Sequence, residues 1–421
     1  MPPPSRAPAG RSTPPEDADR GTEPVVGRAA RRRRRRSQRR RRIVLRVVAG
    51  IVVVVVGLGC WAVIGAASTP GNESFSAKFA DWMRSHDAAF LTNTFERWYY
   101  DLHRPKEGGR PRHLNALPPA EPSTAGTAAH HRRAVQHLPA PPPVPLVVKP
   151  ALPGEGQWKP VGPRVDGYPG MYEAQFRADD VYTREITTAV WIDPDLMKLS
   201  LIPGLTEPGG KWPHPPYITH AERPTIAAAF NGGFRFQDAQ GGYYVDHRVA
   251  VPLRRGAASF VIYRNGRIDI GNWDNQVRMT PQVVGVLQNL VLLVDHGKVS
   301  PTATYNDTRI WGATLGASTV VARSGLGVTA DGGLVYVAGP ALTARTLAEA
   351  LQRAGAVRAM TLDINPEWVT FNFFGHPDPS NPYELSSTAI YPQQQRPSTR
   401  YLGPTLESRD FVEVSTRAPG S

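Results

Sequence analysis

From about residue 157 onward the chain alternates short apolar runs with polar turns. "ITTAVWI", "LSLIP", "TIAAAF", "ASFVIYRNGRIDIG", "LVLLVDHGK", "LGVTADGGLVYVAG" and "AMTLDI" follow one another. Runs of this length, rich in Val, Ile, Thr and aromatics and bounded by turn residues, predict strands. Asn265-Gly266 and Asp331-Gly332 sit between apolar runs, where those pairs favour hairpin turns. One stretch has helical spacing instead. In "TARTLAEALQRAG", Thr343 caps the start, Leu347, Ala350, Leu351 and Ala354 share a face, and Gly355 ends it. A strand, a helix and a strand in that order make a crossover between parallel neighbours. The pattern predicts an α+β domain over 157–421, with a mixed, mostly antiparallel sheet and a β-α-β crossover near its C-terminal end.

The N-terminal part has other periods. Val47 to Ala67 carries no charge and is dense in valine and isoleucine. About 20 apolar residues cross a bilayer as a helix. The arginines ahead of it hold that end in the cytoplasm and place the chain beyond Ser68 outside. We read 47–67 as a single transmembrane anchor. The "GAAS" sequence leaves a cleaved signal peptide as the alternative, although the positive stretch is much longer than a signal peptide needs. Residues 1–46 read as a disordered basic cytoplasmic tail, for want of apolar periodicity. Residues 68–102 read as a helical juxtamembrane stalk. There Phe75, Phe79, Trp82 and Met83 recur at helical spacing, and Phe90, Leu91, Phe95 and Trp98 continue the pattern. Residues 103–156 have the composition of a Pro-rich linker, and His130, His131 and His137 within it have no acidic or Cys company that would argue for a metal.

Charge changes less than its total suggests. The formal net charge is +13, but residues 1–46 hold fifteen arginines against four acidic residues, leaving the rest near neutral. The basicity is topogenic, and nucleic acid is not an expected partner. The one cysteine, Cys60, lies in the apolar span, so no disulfide staples the outer part. A domain of this size holds together by its own core.

Two stretches carry candidate chemistry. "AMTLDINPEWVTF" ends a strand on Asp363 and places Glu367 four residues later, beside Trp368. Asp363 thus falls at the carboxyl edge of a sheet, where ligand sites collect. "TIAAAFNGGFRF" ends a strand on Asn231 and turns through Gly232-Gly233. An acidic turn and an Asn that bonds its own backbone are the plainer readings of both. Asp246 and His247 precede a basic run containing Arg248, Arg254 and Arg255. Trp273, Trp311 and Trp368 suit sugar stacking or an ordinary core. No ligand spacing argues for a metal or other cofactor; the acidic turns leave calcium open.

In order along Ala174 to Phe374, "AAFNGGF", "PLRRGAASFVIYRNGRIDIGNW", "ARSGLGVTADGGLVYV" and "LTARTLAEALQRAGAVRAMTLD" resemble the phosphodiester glycosidase family. That family includes the N-acetylglucosamine-1-phosphodiester α-N-acetylglucosaminidases. The resemblance implies an α+β domain that cleaves a sugar from a sugar-1-phosphate diester. It aligns Asn231, Gly232, Gly233 and Phe234 with the family's turn, Arg323 with its strand-leading arginine, and Asp363 with the aspartate closing its last strand. The family usually continues with glycines and serines after that aspartate, where this chain has "INPEW". Such cleavage needs a carboxylate at the anomeric carbon and a group that activates water or protonates the leaving oxygen, with cations on the phosphate. Asp363, Asn231 and Glu367 are the expected catalytic residues. Gly232, Gly233, Phe234, Arg323, Arg255, Arg309 and His247 are the expected substrate-binding ones. The expected partners are a glycan or glycosyl-phosphate of an envelope polymer and, through one N-terminal helix, the cell membrane. A glycan-binding or scaffold protein on the same fold, and an ordinary glycosidase using Asp363 and Glu367, stay open.

Overall fold

The computed structural model describes residues 25–86, 105–116, 118, 120–121, 136–312 and 319–417. Of the tail expected to be disordered over 1–46, residues 1–24 lie outside them, as do the helical stretch expected through Phe90–Trp98 and His130 and His131; residues 25–46 are helical instead. The chain divides into two units, 1–64 and 65–421. The first is dominated by helix α1 (Val25–Ser68), whose stretch Arg33–Ser68 is the one described helix long and apolar enough to cross a membrane.

The second unit opens with helix α2 (Phe75–Ser85), capped by the Ser74 side chain accepting from the Ala77 N–H. Three sheets come next among the described residues. The largest runs β1 (Lys159–Val165), β2 (Tyr168–Phe176), β3 (Thr187–Ile192), β14 (Leu334–Leu342), β13 (Val321–Thr329), β15 (Ala356–Thr361), β11 (Leu292–Asp295) and β12 (Lys298–Val299). The second runs β7 (Arg248–Val251), β6 (Tyr243–Val245), β10 (Val283–Gln288), β8 (Ala258–Tyr263) and β9 (Ile268–Asn272). The third runs β17 (Ser386–Ala389), β16 (Phe371–Gly375), β5 (Ile226–Asn231), β18 (Phe411–Thr416) and β4 (Met197–Ile202). Every ladder between these strands is antiparallel.

The two predicted hairpins form, as β8–β9 and β13–β14. Helix α3 (Ala344–Arg353) starts on Thr343, whose hydroxyl accepts from the Thr346 N–H, and its predicted apolar face is buried. It carries the chain from β14 to β15. Both strands run antiparallel to β13, so they are parallel to each other as expected; β13 lies between them, so they are not neighbours. Gly325 of β13 makes that packing close: a Cβ there would stand 2.9 Å from Leu351. The end of the proline-rich stretch lies on the domain. Val144, Val148 and Leu152 are buried, and Glu155 forms a buried ion pair with Arg177 at 2.7 Å.

Antiparallel pairing decides where strand ends meet. Asn231 ends β5, and the strands flanking β5 begin at Phe371 and Phe411, so the 370 and 410 positions share its edge. In the large sheet Gly325 pairs with Thr361, which sets Ser324 beside the chain leaving β15 at Asp363. Two sheet edges thus present residues to one place.

Candidate active site

Asn231 sits at that junction and is 4% exposed. Its Oδ1 accepts from the Tyr336 hydroxyl at 2.9 Å and from the Thr370 N–H at 3.2 Å. Its Nδ2 donates to the Gly232 carbonyl at 2.7 Å and to Ser324 Oγ at 3.1 Å. An amide side chain has two donors and two acceptor positions, so all are used. Asn231 therefore holds two sheets and a turn together, with nothing left to offer a ligand. Gly232 is required beside it, because a Cβ would fall 2.1 Å from Asp410 Oδ2. Gly233 packs on Asn289, whose Nδ2 donates to the carbonyls of Thr361 and Leu362. The half-buried Phe234 donates its N–H to Asn289 Oδ1.

Asp363 is buried at the head of the "INPEW" loop. Its Oδ1 accepts from the N–H groups of Ile364 and Asn365, both at 2.8 Å, and its Oδ2 faces Arg409 Nη2 at 3.0 Å. Burial works against its charge while Arg409 and the two amides favour it; the net shift is upward. Glu367 takes the plainer of its two readings: its Oε1 accepts from the Ser74 N–H at 3.0 Å and lies 3.6 Å from Arg396 Nε. Trp368 is buried beneath three guanidiniums, with Arg409 at 4.6 Å and Arg396 and Arg400 at 5.2 Å from its ring centre.

Other expected residues stand elsewhere. Successive side chains of a strand point to opposite faces. Ser324 faces Asn231, so its neighbour Arg323 is turned away. Arg323 is 2% exposed and donates to the backbone carbonyls of Leu342, Trp311 and Thr319. Burial pulls its guanidinium down to about 10, so it is a clamp on backbone rather than a phosphate ligand. Arg309 is exposed and paired with Asp307 at 2.7 Å. Arg255 lies exposed just before β8, and His247 exposed in the β6–β7 turn. Trp273 and Trp311 are core.

The residues that do gather beside Asp363 come largely from stretches with no motif to mark them. A cavity of about 240 Å³ is lined by Glu207, Arg235 and Arg409, with Glu73, Trp82 and Thr206 among its other walls. Burial pushes the Glu207 carboxyl upward, with Arg409 opposing, and its Oε2 accepts from the Phe236 N–H at 3.0 Å. Burial lowers Arg235, reinforced by the neighbouring positive charge of Arg409. Behind them Asp410 is buried, with no hydrogen-bond partner on another described residue for either carboxyl oxygen, and burial pushes it up to about 7. The available signal is "ESRDF" at 407–411, a charged cluster opening directly onto an apolar strand. The arrangement couples buried carboxyls to two cations at a sheet edge, which suits cleavage of an anionic substrate by proton transfer.

Residues 224–363 match the family model described as phosphodiester glycosidase. Within the chain, this segment is the part that is similar to the phosphodiester glycosidase family. It contains Asn231, Ser324 and Asp363, whereas Glu207, Arg409 and Asp410 lie outside it. Among solved structures, the chain is similar to the catalytic domain of zebrafish N-acetylglucosamine-1-phosphodiester alpha-N-acetylglucosaminidase, auto-inhibited by its pro-peptide. The identity is 16%, the match covers 60% of this chain and 86% of that one, and the TM-score is 0.39. A hypothetical protein from Synechocystis is similar at 14% identity, over 61% of this chain and 64% of that one, with a TM-score of 0.34. No curated protein matches the sequence.

Proposed function

We propose that this phosphodiester glycosidase domain hydrolyses glycosyl-1-phosphate diesters of an envelope glycopolymer, from an outward-facing domain anchored by α1. One observation carries the reading: Glu207, Arg235 and Arg409 line a single cavity beside the Asn231–Gly233 turn and Asp363. Arg409 and Arg235 hold the phosphate. Glu207, whose carboxyl burial shifts upward, gives a proton to the phosphate oxygen as the anomeric C–O bond breaks; water then supplies the hydroxyl of the free sugar and returns its other proton to Glu207. Asp363 fixes Arg409, and Asn231 fixes the turn, so both are positioning residues. Glu367 and Trp368 support the arginine-rich wall.

The test is release of free sugar and methyl phosphate from a sugar-1-phosphate methyl diester by the full chain in detergent. Glu207→Gln is expected to lower kcat by roughly 10²–10⁴-fold. Asp363→Asn is expected to act mainly on KM, through Arg409. A binding or scaffold role has its own support, in the neutralised Asp363 and the saturated Asn231. Diester binding without turnover, unchanged by Glu207→Gln, would establish that role instead.

A further inference from the structure

A second group of functional side chains lies outside this cavity. His214, Glu222 and Glu413 each direct one ligand-type atom to a common point, all within 4.8 Å of one another. They come from separate parts of the chain. His214 lies in the loop after β4, Glu222 ends the short helical turn His220–Glu222, and Glu413 sits in the middle of β18, opposite Ser200 and Ala229.

Each is arranged as a ligand needs to be. The His214 Nδ1 lies 2.6 Å from the Pro215 carbonyl, an acceptor that holds the ring proton on Nδ1 and turns Nε2 inward. Glu222 uses Oε2 to accept from the Thr219 N–H at 2.7 Å and the Thr219 hydroxyl at 2.6 Å, which orients Oε1 toward His214 Nε2, 2.6 Å away. Glu413 supplies the independent observation. Its side chain is 5% exposed, and among the described residues it has no hydrogen-bond or ion-pair partner. The basic groups whose fields reach it are His214 and Lys198, while Glu222 opposes them. A buried carboxylate without a partner is costly, and a cation is the usual remedy.

We propose that His214 Nε2, Glu222 Oε1 and the Glu413 carboxylate bind a divalent cation of the zinc class, tying the 214–222 loop to β18. One imidazole and two carboxylates neutralise a 2+ charge and match the ligand preferences of zinc. Calcium takes six or more oxygens and magnesium keeps several waters, so a set with an imidazole nitrogen suits neither. Ligands about 2.0–2.2 Å from a tetrahedral zinc ion stand roughly 3.3–3.6 Å apart, so the ion replaces the direct 2.6 Å contact of His214 Nε2 with Glu222 Oε1, which opens, and rotation of the Glu413 carboxylate brings it in. The role is structural. β18 begins directly after Arg409 and Asp410, so the ion steadies the strand that delivers those two residues to the cavity.

The experiment uses the full chain in detergent, stripped with EDTA and titrated with zinc chloride, with bound metal counted by elemental analysis. Glu413→Gln keeps the shape of the side chain and His214→Gln tests the imidazole; metal-free melts confirm that both fold. The wild type is expected to bind one more zinc per chain than either variant. Its melting temperature is expected to rise with zinc where theirs does not, and cobalt in place of zinc should give visible bands only in the wild type. Equal zinc content in all three, or tight binding of calcium instead, would overturn the proposal.

Discussion

Asp410 is a buried acid with neither carboxyl oxygen bonded to another described residue, and burial raises it to about 7. An ordinary aspartate titrates near ~3.9, so the folded state holds this proton more tightly than the unfolded chain does. The stability it contributes is full below the unfolded value and is lost as pH climbs toward 7. Glu207 and Glu413 are shifted the same way. Thermal melts of the wild type should therefore decline from about pH 4 to 7 and level off beyond. Asp410→Asn, which cannot ionise, is expected to flatten part of that decline and to melt above the wild type at pH 8. Parallel curves would show that Asp410 is not the group responsible. Activity tests the same residue differently: with Arg409 as the proposed phosphate ligand, an ionised Asp410 would repel the substrate, so KM for the diester should rise above pH 7 in the wild type and stay flat in Asp410→Asn.

At the scale of elements, β13 shows how one residue's register changes its role. Arg323 and Ser324 are adjacent, and pleating sends one to the backbone clamp and the other to the site. Arg323→Met leaves the carbonyls of Trp311, Thr319 and Leu342 without their donor. A loss of about 3 kcal/mol in urea unfolding is expected, with KM for the diester unchanged in the cold. A rise in KM at preserved stability would return Arg323 to the substrate. The same contrast explains which features are legible in the sequence. Hairpins at Asn265-Gly266 and Asp331-Gly332, and helix α3 with its Thr343 cap, depend on residues close together in the chain, and all are readable there. Asp363 and Asn231 are readable as strand-end residues. Arg409 and Asp410 are not, because they acquire meaning only when β18 pairs with β5 almost two hundred residues away. Glu207 is hidden for the same reason, in a loop whose carboxyl is aimed by the Phe236 amide. The "INPEW" loop looks foreign to a phosphate site; its Trp368 instead gathers three arginines whose spacing in sequence gives no hint of a common ring.

For the whole molecule, the decisive question is whether α1 spans a membrane and which side the glycosidase-like domain then faces. Helix α1 runs from the arginine cluster through an apolar stretch without a break, and Arg33–Ser68 is long enough to span with residues to spare. Cations are held on the cytoplasmic side during insertion, and twelve residues containing ten arginines, "RRRRRRSQRRRR", adjoin only one end of the span. The domain after it carries a near-neutral balance that sets no competing preference. An uncleaved anchor keeps the chain in the membrane pellet after alkaline carbonate, whereas a cleaved signal would release the domain to the supernatant. Protease added to intact cells should then degrade 136–417 and spare a tag placed before residue 31. Neutralising the cluster by replacing all ten arginines with glutamine should weaken that orientation and protect part of the domain. A domain that resists protease in intact cells but not in lysed ones would put it in the cytoplasm, and the envelope substrate would fall with it.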